Sequence, residues 1–292
     1  MIISNIKRIV TLLIFSAFML SAACMADAAE PIVGAARIAL YKPWLEGRRV
    51  ALLSNHTGMV GSKHTLDLLL ENGVNVVTLF SPEHGFRGTA DAGQHVASSV
   101  DEVTGIPIAS LYNGGKRGPS PEVMAGVDVI LVDLQDVGTR FYTYYITMLD
   151  VMEAAARHGK SVIVLDRPNP LGMSVDGPVL DMKLRSGVGR LPIPVLHGLT
   201  LGEMAKMAVG EGWLSGASSL DLKVVPCKDY PHSPRYALPV APSPNLRSMK
   251  AIYLYPSLCY FEGTTASVGR GTDMPFLVYG HPLMKARGFS FT

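Results

Sequence analysis

The first candidate catalytic residues are a carboxylate, an imidazole and a guanidinium that lie within five residues of one another. Glu83, His84 and Arg87 follow an apolar run at residues 74–80. Pro82 ends the strand that this run predicts, because proline has no N–H to donate to a neighbouring strand. A Glu–His pair beyond the end of a strand suits acid–base chemistry, although Glu83 can equally pair with Arg87 in a purely structural loop.

Polar side chains also follow three other apolar runs, at residues 50–54, 128–134 and 161–165. In chain order they are Asn55 and His56, then Asp133, Asp136 and Arg140, then Asp166 and Asn169. The carboxyl ends of parallel strands meet at one edge of a sheet, and ligands bind in the crevice there. A purely structural sheet has no need of polar residues at each strand end, so the pattern predicts an active-site crevice that includes Glu83.

These residues need a sheet to position them. Apolar runs predict five strands, at residues 50–54, 74–80, 106–112, 128–134 and 161–165. Between them, apolar residues at helical spacing predict two helices, at residues 63–72 and 142–158. Strands that are almost continuously apolar and alternate with helices predict a parallel sheet covered on both faces, an α/β fold of Rossmann-like type. The glycine-containing loop 113–118 lacks the spacing of a P-loop or a dinucleotide fingerprint, and no cofactor is predicted.

The pattern changes after residue 178, and we place the domain boundary after residue 198. A short strand ends at His197, and Thr200 with Glu203 has capping-box spacing, so Glu203 is predicted to be a helix cap and not a catalyst. A further strand, a proline-rich connection and a helix follow, at residues 220–225, 226–244 and 248–255. We therefore predict a Rossmann-like domain at residues 29–198 and a smaller α+β domain at residues 199–292, to which Asn245, Glu262 and Arg270 belong.

The first 28 residues have the features of a signal peptide. Lys7 and Arg8 precede an apolar run at residues 9–23, and residues 26–28 form a small-x-small cleavage site. The run is too short for a stable membrane span, so a periplasmic or secreted location is predicted. Lipid anchoring at Cys24 is a weaker alternative.

Composition narrows the classes of partner. The formal net charge is +2 at pH 7, which gives no general electrostatic reason to bind nucleic acid. Beyond the leader the cysteines are Cys227 and Cys259, which are too few for a disulfide framework and lack zinc-site spacing. Their redox state and the oligomeric state of the chain stay open.

Two chemical readings remain once familiar motifs are set aside. The sequence has no Gly-x-Ser-x-Gly elbow, and neither cysteine lies in a motif that lowers a thiol pKa. In one reading Glu83 acts on a glycosidic bond as a general acid, its pKa raised by the apolar neighbours Phe80, Pro82 and Phe86. In the other, side chains at the same edge bind a divalent metal that activates water: His56, His84, Asp133, Asp136 and Asp166. The residues themselves support the glycosidase and the metal-dependent hydrolase almost equally.

Several longer motifs favour the first reading because they resemble a known family. They are NHTG at residues 55–58, FSPEHGFRG at 80–88, DLQDVGTRFYTY at 133–144, DRPNP at 166–170, HGLT at 197–200, FEGT at 261–264 and GRGT at 269–272. This set resembles the peptidoglycan exo-β-N-acetylmuramidase family from about residue 33 to the end of the chain.

The resemblance implies a glycoside hydrolase that removes terminal N-acetylmuramic acid from the non-reducing end of cell-wall fragments. It implies a Rossmann-like domain, a smaller domain and a cleft between them, with Glu83 as the catalytic acid. Members of the family usually continue beyond the position of Thr292, so part of the smaller domain is expected to be missing from this chain.

The sugar itself suggests roles for other residues. Its carboxylate calls for a cation, and Arg140 or Arg270 can supply one, unless each instead pairs with Asp136 or Asp273. Tyr142 can stack on a pyranose ring or pack in the core, and asparagines can bind sugar hydroxyls or simply form turns. The remaining predicted substrate-binding residues are Asn55, His56, Asp166, Asn169, His197, Asn245 and Glu262.

The second catalytic group stays open among four carboxylates: Asp133, Asp136, Asp166 and Glu262. His84 is placed beside Glu83 either to orient it or to satisfy a backbone carbonyl. The separation of the two carboxyl groups distinguishes retention from inversion, and the acetamido group of the substrate can also replace an enzymatic nucleophile. A wall-sugar-binding protein without catalytic activity is the rival from a different class.

Overall fold

The computed structural model describes residues 30–82, 86, 99–113, 116–232, 236–285 and 290. The predicted signal peptide and the predicted catalytic pair Glu83 and His84 lie outside these residues and stay predictions. The chain divides into a unit that ends at Pro31 and a compact unit Ile32–Thr292. The second unit contains all the elements below.

A seven-stranded sheet forms the centre of this unit. Its strand order is β13-β10-β9-β1-β4-β6-β5, and all neighbours are parallel except β5 and β6. The strands are β1 Val50–Ser54, β2 Met59–Val60, β3 Lys63–His64, β4 Val76–Ser81, β5 Ser99–Val100, β6 Pro107–Ser110, β7 Tyr112–Asn113, β8 Lys116–Arg117, β9 Val129–Asp133, β10 Ser161–Leu165, β11 Val175–Asp176, β12 Leu196–His197 and β13 Leu222–Val225. The mainly parallel sheet confirms the predicted α/β class.

Six helices accompany the strands in the described residues. They are α1 Ile38–Tyr41, α2 Thr65–Glu71, α3 Pro121–Ala125, α4 Tyr144–Arg157, α5 Leu201–Gly210 and α6 Met249–Leu258. Short 3-10 segments lie at Gly34–Ala36, Lys42–Trp44, Met182–Leu184, Ala217–Ser219 and Cys259–Gly263. The predicted cap of α5 is confirmed: the Thr200 hydroxyl accepts from the Glu203 N–H, and the Glu203 carboxylate accepts from the Thr200 N–H.

Two apolar cores cover the two faces of the sheet, because side chains alternate between faces along each strand. On β9, Ile130 and Val132 pack into the core that contains α4, α5 and α6. Val129 and Leu131 pack into the other core with α2. All five residues of β9 are therefore buried, which explains why this strand is the clearest apolar run in the sequence.

The structure differs from the sequence predictions at two elements. The strand Leu222–Val225, assigned from sequence to the smaller domain, pairs with Ser161–Leu165 and belongs to the main sheet. The helix predicted at residues 142–158 begins at Tyr144, because the chain before it turns to bond with another segment: the Arg140 N–H donates to the carbonyl of Val195. Among the described residues no helix is long and apolar enough to cross a membrane.

Candidate active site

A cavity of about 610 Å³ opens beside the start of α4. Its walls come from the loop that precedes α4, from residues 180–189, from residues 243–246 and from α6 with the residues that follow it. Five of the predicted substrate-binding residues line it: Arg140, Tyr142, Asn245, Glu262 and Arg270. The structure therefore brings together residues from three distant parts of the sequence, 140–142, 245 and 262–270.

Aromatic rings form much of the wall. Phe141 meets Tyr255 edge to face with centroids 5.4 Å apart, and Tyr255 meets Phe276 in the same way at 4.9 Å. The Tyr142 hydroxyl donates to the carbonyl of Pro242 at 2.8 Å, and burial raises the pKa of Tyr142 well above its usual value. Tyr142 thus stays neutral and serves as a wall. An aromatic surface of this kind suits the apolar face of a sugar ring.

The two predicted cations have different partners. Nη1 of Arg140 donates to the carbonyl oxygens of Pro178 and Ile193, at 2.7 and 2.6 Å. Arg270 forms an ion pair with Glu262, with 2.7 Å between Nε and Oε1. The predicted alternatives, pairing of Arg140 with Asp136 and of Arg270 with Asp273, are not what the structure shows.

Glu262 is the carboxylate that reaches the cavity wall from the described part of the chain. Besides its bond to Arg270, its Oε2 accepts from the Cys259 thiol at 3.1 Å. Burial raises the pKa of Cys259 to about 12, so this sulfur stays a thiol. Glu262 is thus held at the cavity by its bonds to Arg270 and Cys259.

Asp133 belongs to a buried ion pair and does not line the cavity. Arg167 binds it with two parallel hydrogen bonds, Nε to Oδ1 at 2.6 Å and Nη2 to Oδ2 at 2.9 Å, and both side chains are almost fully buried. The Arg167 guanidinium also donates to the carbonyl of Met59 at 3.1 Å. Both oxygens of Asp133 are therefore occupied within the protein.

Asp166 bonds the end of β10 to the start of α5. It accepts from the Thr200 hydroxyl at 2.6 Å, from the Gly202 N–H at 2.8 Å and from the Arg167 N–H at 3.1 Å. Burial raises the pKa of Asp166 to about 6 despite these donors. The close approach depends on Gly202, where a Cβ atom would lie 2.7 Å from the Asp166 carboxyl carbon.

The amides of two predicted sugar-binding asparagines are engaged within the protein. Asn55 donates to the Tyr144 hydroxyl at 2.8 Å, and its Oδ1 accepts from the N–H and hydroxyl of Thr57. Asn169 donates to the Leu199 carbonyl and accepts from the Leu171 N–H. Both are buried and hold turns at the carboxyl edge of the sheet.

Asp136 and His197 face each other in the interior. His197 Nδ1 accepts from the Leu199 N–H, which leaves the other ring nitrogen, Nε2, to carry the hydrogen, 3.3 Å from Asp136 Oδ2. The same Asp136 oxygen accepts from the Gly138 N–H at 2.8 Å. His56 lies apart from this pair and contacts the carbonyl of Ala241 at 2.9 Å.

The cavity-lining set and this buried network are therefore distinct. Five predicted residues line the cavity, while seven are not among its lining residues: Asn55, His56, Asp133, Asp136, Asp166, Asn169 and His197. The catalytic role of Glu83 and His84 is not tested, since both lie outside the described residues. Phe80, Pro82 and Phe86, expected from sequence to shield Glu83, are themselves buried.

Comparison with known proteins identifies the family. A family model described as exo-β-N-acetylmuramidase NamZ, N-terminal, matches residues 50–250, and the corresponding C-terminal model matches residues 253–290. The chain belongs to the exo-β-N-acetylmuramidase NamZ family. This confirms the resemblance seen in the sequence motifs.

Individual NamZ-family relatives agree with this assignment. The peptidoglycan β-N-acetylmuramidase NamZ of Bacillus subtilis (strain 168) is 44% identical over 253 residues, which are 84% of this chain and 60% of the relative's length. A crystal structure of a DUF1343 family protein from Bacteroides fragilis NCTC 9343 matches with a TM-score of 0.82 and 55% identity, covering 90% of this chain and 70% of that one. A second such protein from the same strain matches with a TM-score of 0.76 and 35% identity, over 88% and 67% of the two chains.

Sequence reasoning missed several contacts in the buried network of this NamZ-family chain. Arg167 neutralises Asp133, Thr200 bonds Asp166, and Tyr144 holds Asn55. Arg167 is visible in the motif at residues 166–170, and a lone arginine among acidic strand ends is a signal that one carboxylate is paired. The partner could not be identified, because 34 residues separate it from Asp133.

Proposed function

We propose that this chain is a glycosidase that releases terminal N-acetylmuramic acid from the non-reducing end of peptidoglycan fragments. The observation that carries the proposal is 44% identity to a peptidoglycan β-N-acetylmuramidase, over 60% of that protein's length. The cavity supports it chemically, because it combines an aromatic wall with arginine side chains, and the sugar combines an apolar ring face with a carboxylate.

In the proposed mechanism Glu83 protonates the departing glycosidic oxygen as a general acid. The support for Glu83 is its position in the motif at residues 80–88, directly after β4. For the second group the geometry favours Glu262, which lines the cavity, over Asp133 and Asp166, which are buried and are not among its lining residues. Participation of the acetamido group of the substrate is the alternative that needs no enzymatic nucleophile.

The metal-dependent reading has less support from the donor set. It requires His56, His84, Asp133, Asp136 and Asp166 to bind one ion. Asp133 is bonded bidentately to Arg167, and no three His, Cys, Asp or Glu side chains converge as metal ligands in the described residues. A ligand that is already bonded to a buried guanidinium is poorly suited to a divalent cation.

A chromogenic aryl β-N-acetylmuramoside tests the proposal directly. We expect turnover by the wild-type chain and a loss of about 10²- to 10⁴-fold in kcat for Glu83→Gln, the usual contribution of a general acid. Glu71→Gln, at an exposed carboxylate on α2, is the matched control and should keep the wild-type rate. Circular dichroism should show that both variants keep the fold.

Three outcomes would count against the proposal. An unchanged rate for Glu83→Gln would remove Glu83 from the mechanism. Loss of activity with EDTA, restored by a divalent ion, would favour the metal-dependent reading. Tight binding of N-acetylmuramic acid without turnover would favour the sugar-binding protein.

The location is a separate proposal. We propose that residues 1–28 direct the chain to the periplasm or the medium, supported by their charged start, apolar run and small-x-small site. Cell fractionation together with N-terminal sequencing of the mature protein tests it. Recovery of the uncleaved chain in the cytoplasm would contradict it.

A further inference from the structure

We propose that Arg140, and not Arg270, is the residue that recognises the carboxylate of the muramic acid sugar. This inference rests on the proposed function and specifies how that site distinguishes a carboxylate-bearing sugar from a neutral one. Both arginines line the cavity. The two arginines differ in the partners that they already have within the protein.

The charge of Arg270 is already compensated. Its Nε lies 2.7 Å from Glu262 Oε1, and its guanidinium carbon lies 5.5 Å from the centroid of the Phe276 ring. A second carboxylate brought to this guanidinium would approach Glu262 as well, and two carboxylates sharing one site repel each other. Arg270 is therefore suited to holding Glu262 in place.

The charge of Arg140 has no carboxylate partner in the described part of the chain. Its contacts there are two backbone carbonyls, those of Pro178 and Ile193, and both bind the same nitrogen, Nη1. Carbonyl groups accept hydrogen bonds but carry no net charge. Nε and Nη2, which lie side by side on the other edge of the guanidinium, have no hydrogen-bond partner among the described residues.

That free edge has the geometry that binds a carboxylate with two parallel hydrogen bonds. The chain contains an internal example of the same arrangement. Arg167 uses Nε and Nη2 to bind the two oxygens of Asp133, at 2.6 and 2.9 Å, while its Nη1 donates to the carbonyl of Met59. In Arg140, likewise, Nη1 binds backbone carbonyls while Nε and Nη2 have no partner among the described residues, and the residue lines the cavity.

Arg140 is also held in advance of binding. Its backbone N–H donates to the carbonyl of Val195 at 2.8 Å, and the preceding residue, Thr139, forms a bridge with Leu196. The guanidinium and the backbone are thus both fixed to the segment 193–196, of which Ile193 and Val195 are almost fully buried. A side chain fixed before the ligand arrives loses less conformational entropy on binding.

The test compares an aryl β-N-acetylmuramoside with the methyl ester of the same compound, which lacks the negative charge. For the wild-type chain we expect kcat/KM to favour the acid, mainly through KM. Arg140→Met should lower kcat/KM for the acid by about 10- to 100-fold, the usual effect of losing a hydrogen bond to a charged group, and leave the ester nearly unchanged. Arg140→Lys, which keeps the charge without the paired donors, should recover part of the preference.

Arg270→Met is the matched control, since it removes a cation from the same cavity and should leave the ratio of acid to ester unchanged. The inference is overturned if Arg140→Met lowers acid and ester equally, or if Arg270→Met abolishes the preference. Should Arg140→Met fail to fold, Arg140→Lys and Arg140→Gln provide the same comparison.

Calorimetric titration separates failure of this inference from failure of the proposed function. If the wild-type chain turns over neither compound, the proposed activity is wrong, while binding of free N-acetylmuramic acid and of its methyl ester still tests Arg140. Preferential binding of the acid that is lost in Arg140→Met supports the inference. Equal binding of acid and ester by the wild type overturns it.

Discussion

At the scale of single residues, the candidate catalytic carboxylates have different roles that their residue type does not reveal. Asp133 is neutralised by Arg167, Asp166 is bonded to α5, and Glu262 lines the cavity next to Arg270. Asp133 and Asp166 were nominated by residue type and position at a strand end, and Glu262 by the motif at residues 261–264. Their partners decide which of them is available to a substrate.

The Asp133–Arg167 pair provides a prediction at this scale. Arg167→Met should lower the free energy of unfolding by about 3–5 kcal/mol, because it leaves a buried carboxylate without its counter-ion. The exposed pair between Arg49 and Asp128 is the matched control, and Arg49→Met should lower the free energy of unfolding far less, because solvent screens this pair. Urea denaturation measures both, and equal costs for the two variants would contradict a structural role for Arg167.

At the scale of elements, the junction between β10 and α5 positions the loop that follows the strand. Asp166 at the strand end accepts from the hydroxyl of Thr200, the cap residue of the helix, and from the N–H of Gly202 in its first turn. The helix start and the strand end are therefore fixed to each other by one buried carboxyl group. Since the helix N-terminus favours negative charge, this arrangement complements the helix dipole.

This junction should make stability depend on pH. Burial raises the pKa of Asp166 to about 6, from an ordinary value of 3.8. A raised pKa in the folded state means that the folded protein holds this proton more tightly than the unfolded chain. The resulting stabilisation is complete below pH 3.8 and is lost as the pH rises to 6, by about 3 kcal/mol in total.

The measurement compares unfolding free energies of the wild type and Asp166→Asn between pH 4 and pH 7. The wild type should lose stability relative to the variant over this interval, because asparagine has no proton to release. Asp67→Asn, at an exposed position on α2, should follow the wild-type pH dependence. A constant difference between wild type and Asp166→Asn would show that the pKa of Asp166 is not raised.

At the scale of the whole molecule, the regions matched by the N-terminal and C-terminal NamZ models share one core. Phe276 lies in the C-terminal region, is almost fully buried, and belongs to the same apolar cluster as Ile130 and Val132 of the sheet. Its ring also packs against Tyr255 at the cavity wall. The cavity and the core of the sheet are therefore parts of one packed structure.

This shared core predicts a single cooperative unfolding transition. Phe276→Ala should lower the free energy of unfolding by about 3–5 kcal/mol and shift the whole transition, because it leaves a void in the common core. Leu283→Ala, at a position that is 84% exposed, should change it by about 0.5 kcal/mol or less. Differential scanning calorimetry measures the transition. Two separate transitions, with Phe276→Ala shifting just one of them, would contradict a shared core.

Local patterns predicted the elements better than their arrangement. The strands β1, β4, β9 and β10 are buried on both faces of the sheet. Their sequences are therefore almost entirely apolar, and composition was enough to predict them. The cap at Thr200 was equally local and was confirmed. The strand Leu222–Val225 was predicted, but it was assigned to the smaller domain and not to the main sheet. Its pairing with β10 joins residues some 60 positions apart, and no local pattern records such a contact. The domain boundary after residue 198 and the catalytic role of Glu83 stay predictions.

Periodicity and motifs are properties of neighbouring residues, so they were enough to predict the α/β class, the family and the group of polar residues that follow the strands. Which of those polar residues line the cavity, and which form ion pairs and hydrogen bonds within the protein, became clear from the folded structure. Asp133 and Arg140 illustrate the difference: both stand in the motif at residues 133–144, yet the first is paired with Arg167 and the second keeps two donors free among the described residues. Such partnerships form between segments far apart in the chain, and they exist only after the sheet has brought those segments together.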